Sequence, residues 1–167
     1  MLIGIGGVSR SGKSTLANLL VTYFRKTGKK AIIFHQDDFV FPETEIPKVR
    51  DKTDWESPSS IDHALLFELV EEFNARFDVV IVDGLFAFYD ENLNNLYDKR
   101  LFVEISQRSF FIRKVADNRW GYIPTWFVDH IWNSFLKYGN ENTIKGNYIT
   151  VSGEDEFDME KVRKYVD

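Results

Sequence analysis

Along this chain, short apolar runs alternate with stretches whose apolar residues recur at helical spacing. Leu2-Ile3-Gly4-Ile5-Gly6, Ala31-Ile32-Ile33-Phe34-His35, Phe77 to Gly84, Leu101-Phe102-Val103-Glu104-Ile105 and Asn147-Tyr148-Ile149-Thr150-Val151 are short and show little polar alternation. Such runs suit strands buried on both faces of a parallel sheet. Between the first two, Thr15 to Phe24 carries apolar residues at helical spacing, and Thr27-Gly28-Lys29-Lys30 then reads as a stop signal with cations at the helix end. Ser59 or Ser60 is a candidate cap for a helix running to about Arg76. Residues 107 to 119 read as a charged helix. Pro124 opens another toward Tyr138, and the tail from Glu154 makes a last helix whose acids precede its bases. Strands alternating with helices predict an α/β fold in one domain over residues 1–167, with a five-stranded parallel sheet covered on both faces and ligands at the carboxyl ends of its strands. Residues 40 to 58 lack periodicity and hold Pro42, Pro47 and Pro58. A structureless stretch of that length in a compact domain is usually functional or disordered.

Composition changes this picture only at a few points. Fifteen Phe, seven Tyr and four Trp in 167 residues exceed the ordinary share, so some rings are free to stack on a planar ligand. A net charge of −5 gives no basic field to recruit nucleic acid. The absence of cysteine excludes disulfides, thiolate zinc sites and a cysteine nucleophile. No apolar stretch approaches a membrane span, and a strand beginning at Leu2 leaves no room for a signal peptide. The expectation is a cytoplasmic protein without membrane or nucleic-acid partners.

The chemistry concentrates after the first strand. Gly7-Val8-Ser9-Arg10-Ser11-Gly12-Lys13-Ser14 fits G-x-x-x-x-G-K-[ST], and it lies between a predicted strand and a predicted helix beginning near Thr15. Glycines let backbone N–H groups turn around phosphate oxygens, and the helix start adds its positive dipole end. Lys13 is placed to reach the β- and γ-phosphates and the Ser14 hydroxyl to ligate Mg²⁺. Asp83, closing the third strand, matches the acid that holds this cation, although Asp-Gly is also a turn signal.

Asp37 and Asp38 follow the second strand and bear on the reaction type. A kinase acting on an alcohol must position and deprotonate a hydroxyl, and an aspartate beside the γ-phosphate suits that task. One of the pair is the candidate base, and the other a candidate to orient metal-bound water or a nearby cation; residue types alone do not choose. Ser14, Asp83 and Asp37 thus form the candidate metal set. In the long loop, Asp54-Trp55-Glu56 combines a ring that can stack on a planar base with carboxylates that can accept from a ribose diol, or else a Trp that anchors the loop to the core. Trp120 and Tyr122 are further stacking candidates. Arg108, Arg113, Lys114 and Arg119 lie in or beside a segment, about 107–122, that reads as a lid able to neutralise charge on a transferring phosphoryl group, or as a solvated face. Arg10 is a further candidate cation. His35, His63 and His130 show no zinc spacing and read as structural.

Taken together, these motifs are similar to those of the nicotinamide riboside kinase and uridine kinase group of P-loop small-molecule kinases, more closely the former. The likeness spans nearly the whole chain. It is carried by the phosphate loop, Gln36-Asp37-Asp38-Phe39, Asp54-Trp55-Glu56-Ser57-Pro58 with Ile61-Asp62, Val82-Asp83-Gly84-Leu85, and His130-Ile131-Trp132 leading to Leu136-Lys137-Tyr138. The resemblance implies a P-loop NTPase fold like that of nucleoside monophosphate kinases, ATP·Mg²⁺ as donor and a ribosyl 5′-hydroxyl as acceptor. It implies Asp37 as base, with Asp38 and Phe39 beside it in the substrate site. The aromatic–acidic pair that stacks a nicotinamide ring and grips the ribose falls on Trp55 and Glu56, and lid arginines fall on Arg113 and Arg119. Two departures stand out: the acid after the third strand is often Glu in the family and is Asp83 here, and the ribose-gripping acid is usually Asp and is Glu56 here. Rival acceptors are uridine, cytidine, pantothenate or a phosphosugar alcohol, and a rival class is a nucleotide-dependent regulatory ATPase.

Overall fold

A computed structural model describes all residues except 118–120 and 122. Its main sheet has five parallel strands: β1 (Leu2–Gly7), β2 (Ala31–His35), β5 (Val79–Asp83), β6 (Lys99–Glu104) and β7 (Ile149–Ser152), in the order β2-β5-β1-β6-β7. A two-residue antiparallel pair, β3 (Lys48–Val49) and β4 (Lys52–Thr53), stands apart inside the long loop. The helices are α1 (Lys13–Lys26), α2 (His63–Asn74), α3 (Glu91–Leu96), α4 (Gln107–Val115), α5 (Thr125–Ser134) and α6 (Met159–Val166). The five expected strands are all present, each within a few residues of its predicted bounds.

β1 and β5 are buried along their whole length, which is why both read as unbroken apolar runs. One face of the sheet packs on α1 and α6: Leu16, Leu20, Phe24, Val162 and Val166 meet Ile3, Ile5, Ile81 and Val103. Full burial of a side chain the size of Phe24 contributes about 2 kcal/mol. The other face packs Leu2, Val80 and Val82 on Leu66 and Val70 of α2 and on Phe88 and Tyr97. A third cluster joins α4 to α5 through Phe110, Phe127, Val128 and Ile131.

Several boundaries differ from expectation. α2 starts at His63, not at Ser59 or Ser60: Asp62 caps it by accepting from the Leu65 amide at 2.9 Å, while Pro58–Ser60 forms a short 3₁₀ turn capped by Ser57. Asp binds an N3 amide as well as Ser does, and Pro58 suits the first position of the preceding turn. α6 likewise starts five residues beyond Glu154, at Met159, capped by Asp158 on the Lys161 amide. α3 had no periodic signal, being one and a half turns long, and Asp90 caps it. α5 ends in a π-helical turn over Phe135–Gly139, so the helix opened by Pro124 does reach Tyr138.

β1, β2 and β5 end together at one edge. His35 pairs in register with Asp83, and Ile5 with Asp83 from the other side. Three chain segments, Gly7 to Ser14, His35 to Asp37 and Asp83-Gly84, therefore meet above the sheet without any long-range coincidence.

Candidate functional site

The turn between β1 and α1 is shaped by backbone conformations that few residues accept. Gly12, which caps α1, sits at φ 103°, and Arg10 is left-handed at φ 65°. Within the turn the Ser11 amide donates to Val8 O at 3.1 Å and Lys13 Nζ to the same carbonyl at 2.9 Å. The first amides of α1 have no acceptor inside their own helix, so they are free for an anion.

This turn lines a cavity of about 300 Å³ with Ser9, Arg10, Gly12, Lys13, Ser14, Thr15, His35, Asp37, Asp83 and Gly84 around it. Lys13 and Asp37 thus share one cavity. Burial pulls the Lys13 pKa below its usual value, against the opposing pull of Asp37, Asp83 and Glu56. Asp83 is almost fully buried, and both carboxylate oxygens are engaged: Oδ2 accepts from Ser14 Oγ at 2.6 Å, and Oδ1 lies 2.5 Å from His35 Nδ1. A hydroxyl and a carboxylate side by side are hard oxygen donors, the set Mg²⁺ takes alongside waters and phosphates. Behind them Gln36 is buried and its Oε1 accepts from the Phe86 amide at 2.8 Å. Gly84 must be Gly because a Cβ there would stand 2.2 Å from that oxygen.

The structure separates the paired acids. Asp37 faces the cavity; Asp38 is exposed and not among the residues around it. Phe39 turns to the core, packing near Phe34 at a ring distance of 6.1 Å.

The loop over residues 40–58 brings Glu56 within electrostatic reach of Lys13 and Asp37. Trp55 keeps 39% of its surface exposed, so it does not anchor the loop to the core. Glu56 is half-buried, and burial raises its pKa, with Asp37 and Asp54 acting in the same direction and Lys114 and His130 opposing. Asp54 does not point to open space: its Oδ1 lies 2.7 Å from His130 Nε2. The loop is also closed by Thr53 Oγ1 donating to Glu43 Oε1 at 2.7 Å and Ser60 Oγ to Trp55 O at 3.0 Å.

The cations of α4 divide in an unexpected way. The Arg113 guanidinium donates to the carbonyls of Gly153 at 2.8 Å, Glu154 at 2.9 Å and Arg10 at 3.3 Å, so it ties α4 to the turn after β7. Its neighbour Lys114 is buried and within electrostatic reach of both Lys13 and Glu56. Arg10 pairs with buried Asp117 at 3.8 Å. Arg119, Trp120 and Tyr122 lie outside the described residues. Two residues that read as structural make specific contacts here: His35 lies against Asp83 and His130 against Asp54. Lys114, one of the candidate cations of the charged helix, is the one buried toward Lys13 and Glu56.

Parallel sheet order, glycine turn and strand-end acids together define the fold of P-loop kinases. The solved structure of a "Possible Uridine Kinase from Bacillus stearothermophilus" superposes with a TM-score of 0.58 at 17% identity, covering 89% of this chain and 88% of that one. A gluconokinase from Sinorhizobium meliloti superposes at 0.55 with 18% identity over 98% of this chain and 86% of that one. In sequence, the chain is 26% identical to a nicotinamide riboside kinase of Schizosaccharomyces pombe over 90% of this chain and 83% of the relative. It is 26% identical to that of Eremothecium gossypii over 81% and 74%, and 27% identical to a uridine kinase of Leuconostoc citreum over 69% and 67%. The chain matches no protein-family model. In sequence and in fold its kin are small-molecule kinases.

Proposed function

We propose that this chain transfers the γ-phosphoryl group of ATP to the 5′-hydroxyl of a small ribosyl compound, with nicotinamide riboside as the preferred acceptor. The observation that carries the reading is that Asp37 and the phosphate-loop Lys13 line one cavity. Lys13 and the loop amides hold the donor phosphates, and their positive charge offsets what builds on the equatorial oxygens as the group moves. Asp37 accepts the proton of the acceptor hydroxyl. Ser14 and Asp83 would hold Mg²⁺, which when bound neutralises phosphate charge. Lys114 brings a further cation beside the acceptor-side Glu56. Such a transfer depends on placement and charge more than on covalent chemistry.

The preference for nicotinamide riboside over uridine rests on charge. Asp37, Asp54 and Glu56 gather near an exposed Trp55, opposed by Lys114 and His130. A cationic pyridinium ring gains from an aromatic face and from nearby carboxylates, whereas a neutral uracil gains only the stacking. Sequence relatives bearing both names leave both acceptors in contention. ATP turnover with nicotinamide riboside and with uridine, side by side, tests the reading: a clear excess with the former is expected. Hydrolysis without dependence on any acceptor would instead favour the regulatory ATPase.

A further inference from the structure

α5 is packed on one side against the core and turns another face to the loop over residues 40–58. Phe127, Val128 and Ile131 bury its inner side against α4 and β6. Trp126 and His130, four residues apart and so on one face, both meet the loop. The Arg50 guanidinium lies 4.5 Å from the centre of the Trp126 ring, and His130 Nε2 lies 2.7 Å from Asp54 Oδ1. Arg50 is left-handed at φ 56° in the turn between β3 and β4, a conformation that strains a residue with a Cβ. Asp54 is further fixed by its own amide, which donates to Pro47 O at 2.8 Å. The two residues after Asp54 are Trp55 and Glu56.

We propose that His130 is a positioning residue for the acceptor seat: through Asp54, and with Trp126 beneath Arg50, α5 sets the angle at which Trp55 and Glu56 meet the acceptor. The inference rests on the acceptor reading above and assigns Asp54 to the anchor, not to the ligand. An error of about 1 Å in such a seat is enough to cost on the order of 100-fold in rate.

Two readouts test it. In the ligand-free protein, His130→Ala should speed amide hydrogen exchange over residues 48–56 by about tenfold, the equivalent of one lost hydrogen bond, and leave residues 7–14 unchanged. In turnover, the same variant should raise the KM for nicotinamide riboside by about tenfold and change the KM for ATP by less than about twofold. His130→Gln, which keeps a donor, should recover most of both effects. Arg50 is exposed, so Arg50→Ala tests the second contact without threatening the core, and it should loosen the same residues by a smaller factor. Exchange over 48–56 that is unchanged in both Ala variants overturns the proposal, as does an equal rise in both KM values or a folded His130→Gln that behaves like Ala. A wild type that phosphorylates no acceptor defeats the kinase reading instead, and the exchange arm still judges the anchor on its own.

Discussion

The two sides of the cavity, donor and acceptor in the proposed reaction, are built by different means. On the donor side, three adjacent parallel strands end at one edge, and short turns place Lys13, Ser14, His35, Asp37 and Asp83 together. Backbone register does the positioning. On the acceptor side, the loop over residues 40–58 has only a short 3₁₀ turn over Glu43–Glu45 and a two-residue hairpin of its own, and side chains from α5 help to hold it, 76 residues away in the case of Asp54 and His130. Geometry inherited from a sheet tolerates change in single contacts. Geometry assembled from side-chain contacts is easier to alter, which fits relatives that share the fold and differ in acceptor name.

Three substitutions sharpen the contrast. The largest effect is expected at Lys13. Lys13→Ala should lower kcat/KM by about 1,000-fold or more, because the lost charge faces the transferring group in a half-buried cavity. A drop of only a few-fold in steady-state turnover would mean that the glycine turn does not hold the donor.

Glu56→Gln should raise the acceptor KM by about tenfold, losing a charge-assisted contact. Its stability should move the other way. Burial raises the folded pKa of Glu56 above its ordinary 4.5, so the folded state holds more protons than the unfolded state once pH exceeds that value. The stability contribution is therefore lost as pH rises from about 4.5 through the folded pKa. At neutral pH the Gln variant should melt higher than wild type, and the gap should close on acidification toward pH 4. Equal melting curves at pH 7 would show that Glu56 is not under strain in the apo site.

The smallest effect is expected at Arg113. Its guanidinium serves three carbonyls, so Arg113→Ala should cost about 1–2 kcal/mol of stability and change kcat by less than about threefold. A loss of about 100-fold in kcat with an unchanged melting temperature would return Arg113 to the transferring phosphoryl group, as the family resemblance implies.

The two sides also differed in how far they could be read from the chain. The sheet was legible because its strands are buried on both faces, and such runs carry no competing polar pattern. The glycine turn, Asp37 and Asp83 were legible because their chemistry is tied to strand ends close to them in sequence. Residue types alone did not separate Asp37 from Asp38; the 3₁₀ turn over Gln36–Phe39 puts Asp37, and not Asp38, among the residues around the cavity. His130 reads from the sequence as structural. Nothing in its local pattern signals an acid 76 positions earlier, and pairing of that kind is a tertiary fact. The opposite roles of Arg113 and Lys114 escaped for a related reason. Adjacent helical residues point about 100° apart, so a charged run says little about which cation faces inward.

The most direct test of the account is acceptor-dependent ATP turnover by Asp37→Asn with nicotinamide riboside, measured together with ATP binding. The account predicts that kcat falls by about 100- to 10,000-fold while the Kd for ATP stays within about threefold of wild type. A variant that turns over within a few-fold of wild type would show that the hydroxyl proton leaves by another route, and the carboxylate facing Lys13 would lose its assigned part.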